Sequence, residues 1–256
     1  MFKYTIITTV KNGINFIDDC LISVNNQSYK NFIHIIIDDN SSDNSFEYLN
    51  DKYTANNRII IKNSLNPGRV NSLNMALSKI QTPYICILDI DDMVHPDWLK
   101  FSDYWITKYK IDIITSKYSN SNIFNNFTNS KIIHVSSFFL LFRNFICHSG
   151  VIINYSKMPD SIKYEDSINH DYKLWINLSI LNFKITYIPL CLVYHRIHDL
   201  QNFEKNFRFK YVINSFLLKS KFLFSKFPLL IPLILPIQLY GILHSLLKGY
   251  LKRTFF

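Results

Sequence analysis

Glycine is scarce in this chain, with five in 256 residues. No GxGxxG follows a strand-like run, and no GxxxxGK followed by Ser or Thr occurs. A dinucleotide cradle and a P-loop, which hold phosphate on backbone amides, are therefore excluded. A nucleotide would have to be held through its base, its ribose and a metal. Four cysteines, Cys20, Cys86, Cys147 and Cys191, lie far apart with no CxxC. Neither a zinc site nor a disulfide framework is expected, and a reducing cytoplasm fits. The N-terminus runs straight into the strand-like Tyr4 to Val10. It lacks the apolar core of about 7–15 residues and the small-residue cleavage site of a secretory signal, so the expectation is a chain that is not exported. Net charge is nearly absent from the body: residues 1–202 carry +1, and +8 of the total +9 falls in residues 203–256. A basic, aromatic-lined body of the kind that binds nucleic acid is therefore missing.

Between residues 4 and 115 short apolar runs alternate with amphipathic segments, which predicts an α/β fold with a parallel sheet and crossover helices. Strands are expected at 4–10, 32–37, 58–61, 84–88 and 111–115, and helices at about 15–27, 43–53, 68–80 and 97–109. Phe32 to Ile37 is nearly continuous in apolar residues, as a strand covered on both faces requires. Residues 116–130, rich in Ser and Asn, read as a polar loop. Beyond it a helix is expected at about 168–182, with strands around 184–188 and 191–195.

The run Tyr84 to Leu88 ends in Asp89, Asp91 and Asp92. Like charges this close repel, and a hard divalent ion carrying phosphates is what such clusters commonly hold. A solvated turn before Pro96 is the plainer alternative. Asp38-Asp39 follows the second strand, and a carboxylate there can accept the imide N–H of uracil or thymine. It can equally cap the next helix, a job for which Asp43 is also suited. In doubly wound sheets ligands gather beyond the carboxyl ends of the strands, so Thr9, Asp39 and the Asp89–Asp92 cluster should share one edge.

These segments together resemble the family 2 glycosyltransferases of the GT-A fold, over about residues 3–200. The resemblance is carried by Thr5 to Gly13, Ser23-Val24-Asn25-Asn26-Gln27-Ser28-Tyr29 (similar to S-V-x-x-Q-T-Y), Ile37 to Ser41, Asn66-Pro67-Gly68 and Leu88 to Asp92. Downstream, His170 to Trp175 is similar to E-D-Y-D-L-W and Val193 to His198 to Y-R-x-H. It implies a mostly parallel sheet flanked by helices, with a nucleotide-sugar-binding half at 1–115, an acceptor-binding and catalytic-base half at 116–202, and a helical tail at 203–256. Thr9 and Asp39 would contact the nucleoside, Arg69 the base or diphosphate, and Asp89 the ribose. Mn²⁺ or Mg²⁺ would be held by Asp89, Asp91 and Asp92, with His198 completing the site. Asp171 would be the general base of an inverting transfer, with Glu165 or Asp166 as alternatives, and His148 would lie beside the acceptor. His170 in place of Glu, Asn177 in place of Arg, and Thr8 and Lys11 in place of Pro and an aromatic depart from the family pattern.

The expected activity is transfer of a sugar from a nucleotide donor, a UDP-sugar, to a growing surface glycan such as lipopolysaccharide, O-antigen or capsule, on a lipid-linked acceptor. A nucleotidyltransferase would want a Gly-rich basic loop near the first strand, which Lys11-Asn12-Gly13 does not provide. A degenerate, non-catalytic sugar-nucleotide-binding protein would bind without turnover. In the tail, Pro228 to Leu247 contains no Lys, Arg, Asp or Glu. Spanning a bilayer is opposed by Pro232 and Pro236, since each proline inside a helix costs about 3 kcal/mol. The flanking Lys219, Lys221, Lys226, Lys248, Lys252 and Arg253 instead predict helices lying on the inner face of the cytoplasmic membrane. A tail packed on its own domain, or on a second copy in a homo-oligomer, is the alternative.

Overall fold

The computed structural model describes residues 2–120, 131–198 and 208–254. They form two compact units. The first comprises Met1–Val135, Ile146–Tyr164 and Lys184–Ile197, and the second Ser136–Phe145, Glu165–Phe183 and His198–Phe256.

The first unit is a mixed sheet. Its parallel half is β1 (Tyr4–Val10), β2 (Phe32–Asp38), β3 (Arg58–Lys62) and β4 (Tyr84–Ile87), connected by α1 (Ile14–Asn25), α2 (Ser45–Tyr53) and α3 (Arg69–Leu77). β1 lies between β2 and β4, with Val10 opposite Asp38. All seven residues of β1 are buried and β2 is buried at six of seven, which is why their apolar runs show no alternation. The one-sided apolar spacing of α1 has the same origin, since Ile17, Cys20, Leu21 and Val24 are its buried face.

Beyond β4 the sheet becomes mixed, with antiparallel neighbours on most sides. β8 (Ile152–Asn154) inserts between β4 and β6 (Ile113–Ser119), β9 (Ile185–Tyr194) runs parallel to β6, and the short β5 (Met93–Val94) and β7 (Ile133–Val135) both pair with β9. α4 (Trp98–Tyr109) follows β5. The first residues of the expected polar loop, 116–119, are strand, and 121–130 lie outside the described residues. The two short strands expected near 184–195 are one ten-residue strand containing Pro189. β6 accommodates it through register shifts on either side of Lys117, the kind of irregularity at which a strand tolerates proline.

The second unit holds α5 (His170–Ile180), α6 (Arg208–Lys226) and α7 (Ile231–Thr254). The tail packs against its own chain: Leu218, Phe222, Leu223 and Ile234 are buried, and Gln238 Nε2 donates to the Leu141 carbonyl at 3.1 Å. Lys219 Nζ reaches the Phe142 carbonyl at 2.7 Å, and Lys226 Nζ the Ser179 carbonyl at 2.8 Å. Among the described residues no single helix is long and apolar enough to cross a membrane. The segments Lys210–Lys226 and Pro228–Ile242, bent by 120°, pass that test only as a pair, by length and composition.

Candidate active site

Three strand ends of the first unit bring polar side chains to one edge of the sheet. Thr9, the penultimate residue of β1, is buried, as is Asp39 just past β2. Asp39 is held from several sides. Its N–H donates to the Val10 carbonyl, and its Oδ1 accepts from the Gly68 N–H at 2.6 Å and from Ser72 Oγ at 2.9 Å. Gly68, immediately before α3, has φ +137°, a backbone state that a side chain would strain. Lys11 Nζ binds the carbonyls of Asp39 and Asn40 at 2.7 and 2.8 Å, so the residue that departs from the family pattern ties the β1 and β2 loops together.

Asp43 caps more than the helix that follows it. Oδ1 accepts from the Ser45 N–H, while Oδ2 accepts from the Ile14 N–H at 3.0 Å. The carboxylate thus supplies α1 with an acceptor that Gly13 lacks, satisfying one of the N–H groups left open at a helix start.

At the end of β4, Asp89, Asp91 and Asp92 place one ligand oxygen each within 4.8 Å of one another, the only such metal-capable group among the described residues. Their environments differ. Asp89 Oδ1 is 2.6 Å from Arg69 Nη2 and 3.4 Å from His148 Nδ1. Burial works against its charge, but the Arg69 and His148 partners outweigh it and hold the carboxyl well below the usual carboxylate range. Its N–H donates to Ser149 Oγ at 3.2 Å. Asp92 is fully buried; His195 Nδ1 lies 3.1 and 3.2 Å from its two oxygens, and Oδ1 also accepts from the Arg196 N–H at 3.0 Å. A carboxylate can only accept here, so Nδ1 carries the proton. That hydrogen bond raises the His195 pKa. Burial raises the Asp92 carboxyl, and the His195 bond opposes the rise.

An all-oxygen donor set suits a hard cation such as Mg²⁺ or Mn²⁺, so the residues present fit the expected metal. Asp89 and Asp91 are the more accessible members. Asp92 has both oxygens engaged by His195 and Arg196. His198 begins the last stretch of the second unit and is not a member of the carboxylate group.

Tyr164 and Asn74, which sequence reading passed over, complete this edge together with His148. His148 Nε2 is 3.0 Å from Tyr164 Oη. Tyr164 is buried and exchanges two backbone bonds with the Asn74 side chain, at 2.8 and 2.9 Å. The one available signal was the polar character of Asn74 amid the apolar spacing of α3.

In the second unit, Asp171 lies in the first turn of α5, where an acid is favourable to the helix dipole. Its Oδ2 accepts from Asn144 Nδ2 at 3.0 Å. Glu165, the alternative base, is bound by Lys173 Nζ at 2.7 Å and Asn177 Nδ2 at 3.0 Å. The Lys173 bond lowers its pKa.

A sheet of this topology, with an aspartate cluster at the carboxyl end of β4 and a buried aspartate after β2, is the arrangement expected of a glycosyltransferase of the GT-A fold. The chain belongs to glycosyl transferase family 2, whose model matches residues 5–161. It is 26% identical over 209 residues to the E. coli UDP-Glc:alpha-D-GlcNAc-diphosphoundecaprenol beta-1,3-glucosyltransferase WfaP, covering 77% of this chain and 73% of that protein. In fold it is similar to S. aureus TarS residues 1–349 in complex with UDP-GlcNAc, with TM-score 0.71, 16% identity, and 88% and 68% of the two chains covered. It is also similar to the mannosyltransferase PcManGT from Pyrobaculum calidifontis in complex with GDP-Man and Mn²⁺, with TM-score 0.69, 13% identity, and 97% and 75% covered.

Proposed function

We propose that this glycosyltransferase is a metal-dependent inverting enzyme that moves a sugar from a UDP-sugar to a lipid-linked saccharide of a growing surface glycan, working on the cytoplasmic face of the membrane. The observation that carries this reading is the convergence of Asp39 and the Asp89–Asp91–Asp92 group on the carboxyl edge of one sheet. A sugar nucleotide presents a base to read and two phosphates to neutralise, and the edge has a carboxylate for the first and a hard-cation site for the second. Bound there through Asp89 and Asp91, Mg²⁺ or Mn²⁺ would supply Lewis-acid stabilisation to the departing nucleoside diphosphate. Arg69 would add its guanidinium to the same negative charge.

Asp171 is assigned the proton of the acceptor hydroxyl. The bond from Asn144 fixes Oδ2, and Oδ1 makes no hydrogen bond to the described residues, so one oxygen stays available as a base. The named acceptor of WfaP, a lipid diphosphate sugar, supports a lipid-linked acceptor here. The membrane location is supported by the basic tail and by the exposed Leu229, Leu233, Ile237 and Tyr240 of the α7 region.

The test is calorimetric titration of the purified chain with UDP in Mn²⁺ and in EDTA, followed by a UDP-sugar hydrolysis assay. Metal-dependent binding with slow hydrolysis is expected. Binding unaffected by EDTA would remove the metal from the reading, and binding without any turnover on a panel of lipid-linked acceptors would favour a degenerate scaffold.

A further inference from the structure

We infer that Ser72, backed by Asn63, is a positioning residue that pins the Asp39 carboxylate and makes the donor site selective for uracil or thymine over guanine. The inference rests on the reading that this edge binds a nucleotide and refines which base it takes.

Asp39 Oδ1 already receives two donors, the Gly68 N–H at 2.6 Å and the Ser72 hydroxyl at 2.9 Å. The Ser72 proton is committed in that direction because its oxygen accepts from Asn63 Nδ2 at 3.0 Å. Asn63 is itself held by the Asn66 carbonyl at 2.8 Å. Ser72 and Asn63 are both buried, so water cannot readily replace either bond. A carboxylate oxygen has two lone-pair sites, and on Oδ1 both are filled. Oδ2 makes no hydrogen bond to the described residues and is not sealed from solvent. Asp39 therefore presents one acceptor outward and cannot turn to present two.

Bases differ in what they ask of that acceptor. Uracil and thymine offer one edge donor, N3–H, flanked by two carbonyl acceptors. Guanine offers two parallel donors, N1–H and N2–H, which a carboxylate serves best with both oxygens. Here the second guanine donor would meet an oxygen already saturated by Gly68 and Ser72. A buried donor left unpaired commonly weakens binding about tenfold or more. The fold by itself does not choose, since a neighbour of the same architecture holds GDP-Man.

Titration of UDP and GDP, each with Mn²⁺, into the wild-type chain and into Ser72→Ala, Ser72→Thr and Asp39→Asn tests the inference. The wild type should bind UDP about tenfold or more tighter than GDP. Ser72→Ala, which leaves Oδ1 with the Gly68 donor alone and one acceptor site open for a second base donor, should lower that ratio, and Ser72→Thr, which keeps the hydroxyl, should retain it. In Asp39→Asn the pinned oxygen keeps its two donors, so the amide nitrogen takes the outward position. That variant should lose UDP and gain CDP, whose N3 is an acceptor. Wild-type affinities for UDP and GDP within about twofold, with binding intact, would overturn the selectivity while leaving the nucleotide reading in place. An unchanged ratio in folded Ser72→Ala would overturn the role of Ser72. No binding of either nucleotide would defeat the underlying reading as well.

Discussion

Gly150 links the core to the carboxylate cluster, and replacing it with alanine should show how much. Its φ is +84°, and a Cβ built there would lie 2.1 Å from Cγ2 of Val193 and 3.4 Å from the Val193 Cβ. The first distance is impossible without movement, and neither partner moves easily. Val193 is buried in β9, the Gly150 N–H is tied to the Ile87 carbonyl at 2.6 Å, and its carbonyl accepts from Trp98 Nε1 at 3.3 Å. Overpacking of a core costs about 1–3 kcal/mol and a side chain at positive φ about 1 kcal/mol more, for a total near 2–4 kcal/mol. For a chain of this size that lowers the melting midpoint by roughly 5–15 °C. The neighbouring Ser149 accepts from the Asp89 N–H, so metal-dependent nucleotide binding should weaken in parallel. Gly241 is the control, because nothing lies within 4 Å of a Cβ built there and it sits inside α7, where alanine is favoured by about 1 kcal/mol. Gly241→Ala should therefore melt at or slightly above the wild type. Thermal melting by circular dichroism reads both. Gly150→Ala melting within a degree of wild type, or Gly241→Ala falling equally far, would refute the reasoning.

Asp91→Asn should abolish metal-dependent UDP binding, whereas Asp171→Asn should spare binding and lower turnover by about 10²-fold or more; equal loss of affinity in both, by calorimetry, would remove that division of labour. Asp89, whose pKa is depressed in the folded chain, contributes stability that is present above its unfolded value near 4 and is lost as pH falls below it. Arg69→Met removes the largest of the groups that depress this carboxyl, leaving His148 alone against burial, so the loss of stability on acidification below about pH 4 should be smaller in urea unfolding than in the wild type; superimposable pH profiles would count against the pair. Leu229→Asp with Leu233→Asp, at side chains 93% and 65% exposed, should reduce sedimentation with anionic vesicles without lowering the melting midpoint, and unchanged sedimentation would argue against membrane contact through this face. Because Lys219 and Lys226 are engaged with the chain's own carbonyls, neutralising Lys221 should weaken vesicle binding more than neutralising either of them.

The parallel half of the sheet was legible because its information is local. β1 and β2 are buried on both faces, so their residues are largely apolar or β-branched with no alternation, and α1 shows its buried face at helical spacing. The carboxylates after β2 and β4 were legible for the same reason, since a polar cluster ending an apolar run marks a strand end. The mixed half was not. β8 has three residues and is a strand only because β4 and β6 lie on either side of it, and β9 survives Pro189 only because β6 shifts register beside it. Neither partner could be found by reading along the chain.

The same distinction separates the residue types of the site from their wiring. An aspartate cluster is visible as a cluster, but its members are made unequal by residues far away in sequence. Asp92 is sealed and bonded by His195 and Arg196, 103 and 104 positions downstream, while Asp89 is set by Arg69 on α3 and His148 ahead of β8. Identical carboxylates within four residues thus acquire different exposures and remaining acceptor sites from distant parts of the chain. Asp39 follows the same logic, since its outward acceptor is defined by what Gly68 and Ser72 have already taken. In this chain the motif states which chemistry is available, and the long-range hydrogen bonds decide which atom performs it.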